Sequence, residues 1–376
     1  MRCEFRYGLL TVAIVVLAAC GGKKEAGDQG EAAAPEAKEL FVYNWSDYIA
    51  EETIPGFEAM TGIKVTYDVF DSNEVLETKL LAGHTGYDVV VPSASFLERQ
   101  IQAGVFMKLD RSKLPNFVNM DKEIMARVAR HDPGNEHSVP YLWGTTGIGY
   151  NPDKVKEALG TDTIDSWSAV FDPAIAAKLA KCGLVMLDAP GEVIDSALIY
   201  LGRDPNSEAP EDLAAAEELL MTIRPHVRYF HSSQYINDLA TGEICVALGW
   251  SGDVLQARDR GAEAATPVNV AFSIPQEGAI MWFDMLAIPA DAPHPGIAHE
   301  FINYLMDPAV IAQVSDYVSY ANGNAASLPL VSEDVKGDPS IYPSADVAQK
   351  LFPHLAESQE FSRLLNRSWT RIRTGQ

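Results

Sequence analysis

The hydrophobic positions of the chain recur with two different spacings, one typical of strands and one typical of helices, which alternate along the sequence. Short apolar runs at 40–43 and 63–69 flank a stretch of helical spacing at 54–60. A second helix is predicted at 71–83, because its first residues form a capping-box pattern. Strands that alternate with helices in this way predict an α/β fold with a mostly parallel sheet.

The same alternation continues through the rest of the chain. A buried strand is predicted at 87–91, and the next helix is predicted to start at Ser95. Further along, strands are predicted at 183–187 and 244–250, with a long helix at 210–223 between them. The rhythm of the second half therefore repeats that of the first.

The length and two extended stretches predict two discontinuous lobes. Roughly 335 residues follow residue 38, which is more than one hydrophobic core usually serves. The glycine-rich run 141–150 (YLWGTTGIGY) is expected to cross between the lobes, and 281–288 is expected to return. The predicted limits are an N-terminal lobe of residues 39–143 plus 281–325 and a C-terminal lobe of residues 144–280 plus 326–376.

The N-terminus has the features of a targeting segment. Arg2 and Arg6 precede a short apolar core, which is too short for a permanent membrane helix. The sequence Leu-Ala-Ala before Cys20 is typical of a lipobox, so residues 1–19 are a predicted signal peptide and Cys20 a predicted lipidation site. An ordinary secretory signal is the alternative. Residues 20–38 are small, charged and non-periodic, as in a flexible tether.

The charge of the chain is strongly negative. The formal net charge is −23, and removal of residues 1–19 takes away Arg2, Arg6 and Glu4, which changes it to −24. Such acidity argues against nucleic acid or an anionic membrane surface as a partner, and it would attract cations. The only expected membrane contact is the lipid anchor.

Two cysteines remain in the folded body, Cys182 and Cys245. An exported protein is expected to pair them, and a loop of that length would stabilise the fold by roughly 4 kcal/mol. Two buried thiols are the alternative. No C-x-x-C motif supports redox catalysis.

Three clusters combine tryptophan with aspartate, and two of them directly follow predicted strands. In open α/β sheets ligands bind where strands end and helices begin. A carboxylate holds an ammonium ion by charge-assisted hydrogen bonds, and an indole face attracts the same cation. A core tryptophan or a helix-capping aspartate is the structural alternative for any one cluster, but their co-occurrence predicts a receptor for a small organic cation. The clusters are Trp45-Ser46-Asp47-Tyr48, Trp250 with Asp253, and Trp282 with Asp284.

Signatures of catalysis are poor. The sequence Gly249-Trp250-Ser251-Gly252 approaches a nucleophile elbow, but Asp253 occupies the position of its last glycine. There is no H-E-x-x-H or P-loop motif, and the eight histidines lack ligand spacing. We therefore expect no enzyme, no cofactor and no metal.

Four longer motifs resemble a known family. They are YNWSDYI, YDVFDSNEVLETKLLAGHTGYDVVVPSASFLERQ, YFHSSQYINDLATGEICVALGW and FDMLAIPADA. They are similar to the putrescine- and spermidine-binding proteins of bacterial polyamine ABC importers, and the resemblance runs from about Leu40 to Trp369. It implies the two-lobed class II periplasmic-binding fold, with the ligand held between lobes that close by a hinge motion. It also implies a disulfide between Cys182 and Cys245.

The resemblance also implies roles for individual residues. Asp284 would pair with one ammonium group and Asp253 with the other, with Glu192 assisting. Ser93 would donate a hydrogen bond, and Trp250 and Tyr320 would form aromatic walls. The remaining positions of the implied pocket are Trp45, Ser46, Asp47, Tyr48 and Trp282.

The implied pocket has a mixed character. Trp282 occupies a position where putrescine-preferring members tend to carry Phe and spermidine-preferring members Trp. Ser95 and Ala189 instead resemble the putrescine type. The polyamine class is implied, and the preferred polyamine is not.

The expected protein is thus the substrate-binding lipoprotein of a polyamine ABC importer, periplasmic, membrane-anchored and monomeric, with a membrane permease as its partner. Two rivals are a polyamine sensor that presents its ligand to a membrane receptor and an exported hydrolase. The hydrolase would need a nucleophile–base pair or a metal cluster that the sequence does not offer.

Overall fold

The computed structural model describes residues 38–376, so the predicted signal peptide, Cys20 and nearly all of the predicted tether lie outside the described residues. In the described part, eleven strands form one mixed sheet. They are β1 Glu39–Trp45, β2 Lys64–Phe70, β3 Val89–Val90, β4 Ser138–Tyr150, β5 Leu184–Met186, β6 Val227–Phe230, β7 Val246–Trp250, β8 Ala271–Ser273, β9 Ala279–Ala287, β10 Ala321–Asn322 and β11 Leu351–Pro353.

Helices flank this sheet, as the alternating pattern predicts. In residues 38–376 they are α1 Thr53–Thr61, α2 Asn73–Ala82, α3 Ala94–Gln102, α4 Lys122–Val128, α5 Pro152–Leu159, α6 Ser168–Phe171, α7 Pro173–Leu179, α8 Pro190–Tyr200, α9 Pro210–Ile223, α10 Gln234–Ala240, α11 Ser251–Glu263, α12 Pro295–Leu305, α13 Pro308–Val318, α14 Glu333–Lys336, α15 Ala345–Ala348 and α16 Gln359–Thr374. Single 3₁₀ turns occur at Arg111–Lys113, Pro115–Asn119, Pro133–Asn135, Arg224–His226 and Ala325–Ser327. None of these helices combines the length and the apolar composition needed to cross a bilayer.

The sheet is parallel at its flanks and antiparallel in the middle. Its order is β2-β1-β3-β9-β4-β7-β5-β6, with β8 and β10 paired to β4 and β11 paired to β9. Strands β2, β1 and β3 pair in parallel at one flank, as do β7, β5 and β6 at the other. The long central strands β4 and β9 pair antiparallel with each other, β9 with β3 and β4 with β7, whereas β11 pairs with β9 in parallel. This is the expected α/β fold with two lobes.

Strand β4 contains the glycine-rich run, which is extended as predicted. Its glycines are needed for close packing, since a Cβ atom added to Gly144 would lie 2.9 Å from the Trp282 ring. A Cβ atom at Gly149 would lie 2.5 Å from the side chain of Val254 on α11. Small residues here let α11 and Trp282 approach the centre of the sheet.

Three local predictions are corrected at their ends. The predicted strand 87–91 is reduced to Val89–Val90. Helix α2 is capped by Ser72, whose hydroxyl accepts from the backbone N–H of Val75; Val75 holds the position that a full capping box gives to Glu or Gln. Helix α3 starts at Ala94 rather than Ser95, after the N-cap residue Ser93. Ser93 does not cap the helix with its side chain, because its hydroxyl is used in the site described below.

The disulfide implied by the resemblance is present. Cys182 and Cys245 are joined, with their Cα atoms 5.5 Å apart. The cysteines precede β5 and β7, whose parallel pairing begins at Leu184 and Val246. The bond therefore ties together two neighbouring strands where both begin.

Candidate ligand-binding site

A recess lies where β1, β7 and β9 approach the starts of several helices. It opens into a wider cleft, with which it shares Trp45, Trp250 and Trp282. Ten of the eleven predicted ligand-binding residues line the recess. The full lining is Trp45, Ser46, Tyr48, Asp71, Ser93, Glu192, Ser233, Trp250, Asp253, Trp282, Asp284 and Tyr320.

Asp284 is held by two hydroxyl groups. The Ser93 hydroxyl donates to its Oδ1 at 2.6 Å, and the Tyr48 hydroxyl donates to its Oδ2 at 2.8 Å. Asn73 orients Ser93 in turn, since its side-chain amide donates to Ser93 Oγ at 2.9 Å. The side-chain Oδ1 of Asn73 accepts a hydrogen bond from the Ser93 backbone N–H at 3.0 Å. The carboxylate of Asp284 is thus fixed before any ligand arrives.

Asp253, in the first turn of α11, is held in the same manner by two tyrosines. Tyr235 donates to its Oδ2 at 2.8 Å, and Tyr320 donates to its Oδ1 at 2.7 Å. Each tyrosine oxygen also accepts a backbone N–H, from Trp250 and from Asp253 itself, both at 3.1 Å. Both hydroxyl protons must therefore point at the carboxylate.

Glu192 is the third acidic group of the recess and lies in the first turn of α8. Its Oε2 accepts from the Trp250 indole N–H at 2.9 Å and from the Thr146 hydroxyl. The same carboxylate therefore fixes the ring of Trp250.

Aromatic rings form the walls of the recess and meet edge to face. The centroids of Trp45 and Trp250 are 5.6 Å apart, and those of Trp282 and Tyr320 are 5.4 Å apart. The Trp45 indole N–H donates to the carbonyl of Val91 at 2.9 Å, which fixes that ring against β3. Rigid aromatic walls can pack against a methylene chain and attract a cation.

Asp253 and Asp284 have no salt-bridge partner among the described residues, whereas the charge of His354 lowers the pKa of Glu192. Burial raises the pKa of Asp284 to about 7, and the charges of Glu192 and Asp253 add to the rise. Burial likewise raises the pKa of Asp253 to about 7 and raises that of Glu192. No lysine or arginine is among the described residues that line the recess. A buried anionic site of this kind favours a ligand that brings positive charge.

Asp47 is the one predicted ligand residue that the structure moves out of the recess. Its Oδ1 atom pairs with Arg260 Nη2 at 2.7 Å, and its side chain is 35% exposed. The backbone at Asp47, two residues after the end of β1, has a φ of 54° and so lies in the left-handed region. Arg260 pairs with the Asp47 charge at the rim, so the role of Asp47 in holding a ligand stays a prediction.

Several residues of the recess escaped the sequence analysis. Asp71 directly follows β2, so the strand-end argument applied to Asp47 would have found it. Ser233 contacts Ser46 with 3.1 Å between their hydroxyl oxygens. Tyr235 and Asn73 orient other side chains, and no local pattern marks such supporting residues.

The two selectivity positions lie elsewhere. Ala189 lines the wider cleft rather than the recess. Ser95 lines a separate cavity that shares Ser93 and Trp282 with the recess. In residues 38–376 no group of three or more His, Cys, Asp or Glu side chains is arranged to hold a metal ion.

Comparisons with known proteins agree with this geometry. Residues 52–343 match the family described as bacterial extracellular solute-binding protein. The putrescine-binding periplasmic protein PotF of Escherichia coli (strain K12) is 56% identical over 344 residues, which cover 91% of this chain and 93% of PotF. The putrescine-binding periplasmic protein SpuD of Pseudomonas aeruginosa (strain UCBPP-PA14) is 52% identical over 371 residues, 98% of this chain and 99% of SpuD.

A solved structure supports the same conclusion about the fold. The TpPotD lipoprotein of Treponema pallidum superimposes with a TM-score of 0.75 at 27% identity, covering 89% of this chain and 99% of that chain. PotF and SpuD are named as binding proteins, which confirms the expectation that this chain is not an enzyme. Because the family match spans most of the folded body and the relatives align over nearly their whole length, the chain belongs to the bacterial extracellular solute-binding protein family.

Proposed function

We propose that the chain is the substrate-binding component of a polyamine ABC importer and that it holds a doubly charged aliphatic amine in the recess. The observation that carries this proposal is the pair of buried carboxylates, Asp253 and Asp284. Each has both oxygens held by hydroxyl donors, and neither has a basic partner among the described residues. The names of PotF and SpuD support putrescine as one such ligand.

Binding follows from the arrangement of charge and aromatic surface. One ammonium group would bind Asp284 and the other Asp253, with Glu192 as the third acidic group of the recess. Charge-assisted hydrogen bonds contribute about 1.5–3 kcal/mol each, and an indole face adds roughly 2 kcal/mol for a desolvated cation. The tyrosine and serine hydroxyls have already oriented the carboxylates, so little ordering cost is left for the binding step.

The recess draws its residues from both predicted lobes. The limits we propose are 39–143 plus 281–325 for the first lobe and 144–280 plus 326–376 for the second. With these limits the Ser46–Ser233 and Asp47–Arg260 contacts both join one lobe to the other. They are contacts that a hinge motion would make on closing around the ligand and break on release to the permease.

The attachment to a membrane is part of the proposal. A diacylated Cys20 and the tether that follows would keep a monomeric binding protein near its permease on the periplasmic side. The Leu-Ala-Ala-Cys sequence supports this, as does the description of the structural relative TpPotD as a lipoprotein. Mass spectrometry of the protein from membranes, with Cys20→Ser as the control, would detect the acyl chains.

Titration calorimetry with putrescine, cadaverine, spermidine and spermine tests the ligand class. We expect saturable binding of at least one of them, with a stoichiometry of one. Butylamine is the matched control, because it keeps the aliphatic chain but has one ammonium group, and it should bind far more weakly. Absence of binding to all four polyamines, or equal affinity for butylamine, would contradict the proposal.

A further inference from the structure

A second cavity, here called the rear chamber, shares Ser93 and Trp282 with the recess. Its charge is opposite to that of the recess. Among the described residues, no aspartate or glutamate lines it, whereas Arg127, Arg130 and His354 do. The two cavities thus meet at Trp282 and differ in the sign of the side chains around them.

The cationic groups of the rear chamber are available to a ligand. Neither Arg127 nor Arg130 has a salt-bridge partner among residues 38–376. His354 binds Asp195 through Nδ1 at 2.9 Å, so its other ring nitrogen is not used by that contact. Burial alone would lower the pKa of His354, but the hydrogen bond and charge of Asp195, together with the charges of Glu192 and Glu357, raise it to about 9. His354 is therefore a cation at neutral pH.

The chamber also contains His131, which responds to these charges. Burial lowers the pKa of His131, and the charges of Arg130 and His354 lower it further, although Glu98 at 2.9 Å acts in the other direction. The effect of Arg130 and His354 on one imidazole indicates that their positive charges converge on this region.

Two buried hydrogen-bond donors in the chamber lining have no acceptor. The Ser95 hydroxyl and the Trp282 indole N–H both lack a partner among the described residues, and their residues are 3% and 8% exposed. A buried donor without an acceptor costs about 1–3 kcal/mol, so each of these groups requires an acceptor, which a bound water or the oxygen of a ligand can supply. Ser95 also lies in the first turn of α3, a helix of nine residues whose N-terminus favours negative charge.

We propose that the rear chamber binds a small anionic group, either a carboxylate or an inorganic oxyanion. Its oxygens accept hydrogen bonds from the Ser95 hydroxyl and the Trp282 indole N–H, and Arg127, Arg130 and His354 supply the positive charge. Trp282 then serves both cavities, with its ring in the wall of the recess and its N–H on the anion. The anionic group comes either as a free ion or as the acidic end of a ligand whose ammonium group occupies the recess.

The test uses the ligand-free protein labelled with ¹⁵N and follows its indole N–H resonances, six in all for the six tryptophans of the sequence. The resonance of Trp282 is identified by its loss in Trp282→Phe. Sodium sulfate is titrated at constant ionic strength. We expect the Trp282 resonance to shift saturably, and Ser95→Ala to weaken sulfate binding at least fivefold.

Two arginine variants separate a specific site from general electrostatics. The double variant Arg127→Ala/Arg130→Ala should weaken sulfate binding at least tenfold. Arg367→Ala, an exposed position on α16 that lines neither cavity, should leave sulfate binding unchanged. A Trp282 resonance that does not move, moves without saturation, or responds to Arg367→Ala as strongly as to the double variant would overturn the proposal.

A second titration distinguishes the two sources of the anionic group. Equal affinities for acetate and 4-aminobutyrate indicate that the chamber binds a free anion. An affinity for 4-aminobutyrate at least tenfold higher than that for acetate indicates a ligand that spans both cavities. Binding of sulfate without binding of acetate or 4-aminobutyrate indicates a free inorganic oxyanion. Because no polyamine is present in the sulfate experiment, its result does not depend on the function proposed above.

Discussion

Asp253 and Asp47 each follow a tryptophan near the end of a strand, but different kinds of partner hold their carboxylates. Asp253 is 6% exposed and accepts hydrogen bonds from two tyrosines, which orient the carboxylate without neutralising it. Asp47 lies at the rim and pairs with Arg260. A hydroxyl donor leaves the negative charge of the carboxylate available to a ligand, whereas an arginine neutralises it. The difference decides which of two similar clusters can bind a cation.

Removal of the charge at each position should give the largest difference in putrescine affinity between the two aspartates. Asp253→Asn should weaken putrescine binding by about 2–5 kcal/mol, or about 30-fold or more, because a buried ammonium loses its charge partner. Asp284→Asn should behave alike, and Asp47→Asn should have a far smaller effect. Calorimetry measures the affinities, and thermal unfolding of the ligand-free variants verifies that they fold. Equal losses in Asp47→Asn and Asp253→Asn would contradict the assignment.

The pH dependence of putrescine affinity tests the same difference between Asp253 and Asp47. Asp253 and Asp284 have pKa values of about 7 in the ligand-free protein, and the dication binds their ionised forms. Affinity for putrescine should therefore fall about tenfold or more between about pH 8 and about pH 5. Asp47→Asn should retain this profile, and Asp253→Asn should flatten it. A pH-independent affinity in the unmodified protein would remove both carboxylates from the site.

The stability of the ligand-free protein should fall as the pH rises, whereas the affinity for putrescine should increase. The folded pKa of both aspartates lies above the value of about 3.9 for an unfolded chain. Their contribution to the free energy of unfolding is therefore fully present below about pH 4 and is lost as the pH rises through about 7. The gain in melting temperature on adding putrescine should accordingly be larger at about pH 8 than at about pH 5.

The rim pair should give the smallest effect. The side chains of Asp47 and Arg260 are both more than a third exposed, at 35% and 39%, so water and salt screen their attraction. A double-mutant cycle with Asp47→Ala and Arg260→Ala should give a coupling of about 0.2–1 kcal/mol in putrescine affinity. The coupling should shrink when salt is added. A coupling as large as the loss in Asp253→Asn would make the pair part of the binding site.

Much of the fold could be predicted because its signals are local. The predicted helix at 210–223 coincides with α9, and the run 141–150 lies within β4. Proline in a first helical turn and apolar alternation act over a few neighbouring residues, so the sequence displays them directly. The errors lie at element ends, as in β3 and α3, where side chains such as that of Ser93 bind distant partners instead of capping a helix.

The sequence by itself determined the α/β pattern, the acidity, and the kinds of side chain at the strand ends that became the recess. Only the tertiary structure decided which acids stay uncompensated, because their partners are remote in the chain. Tyr48 and Asp284 are 236 positions apart, and Asp47 and Arg260 are 213 positions apart. Local periodicity cannot specify such pairs, and the rear chamber likewise exists only once α3, α4 and β9 have come together around Trp282.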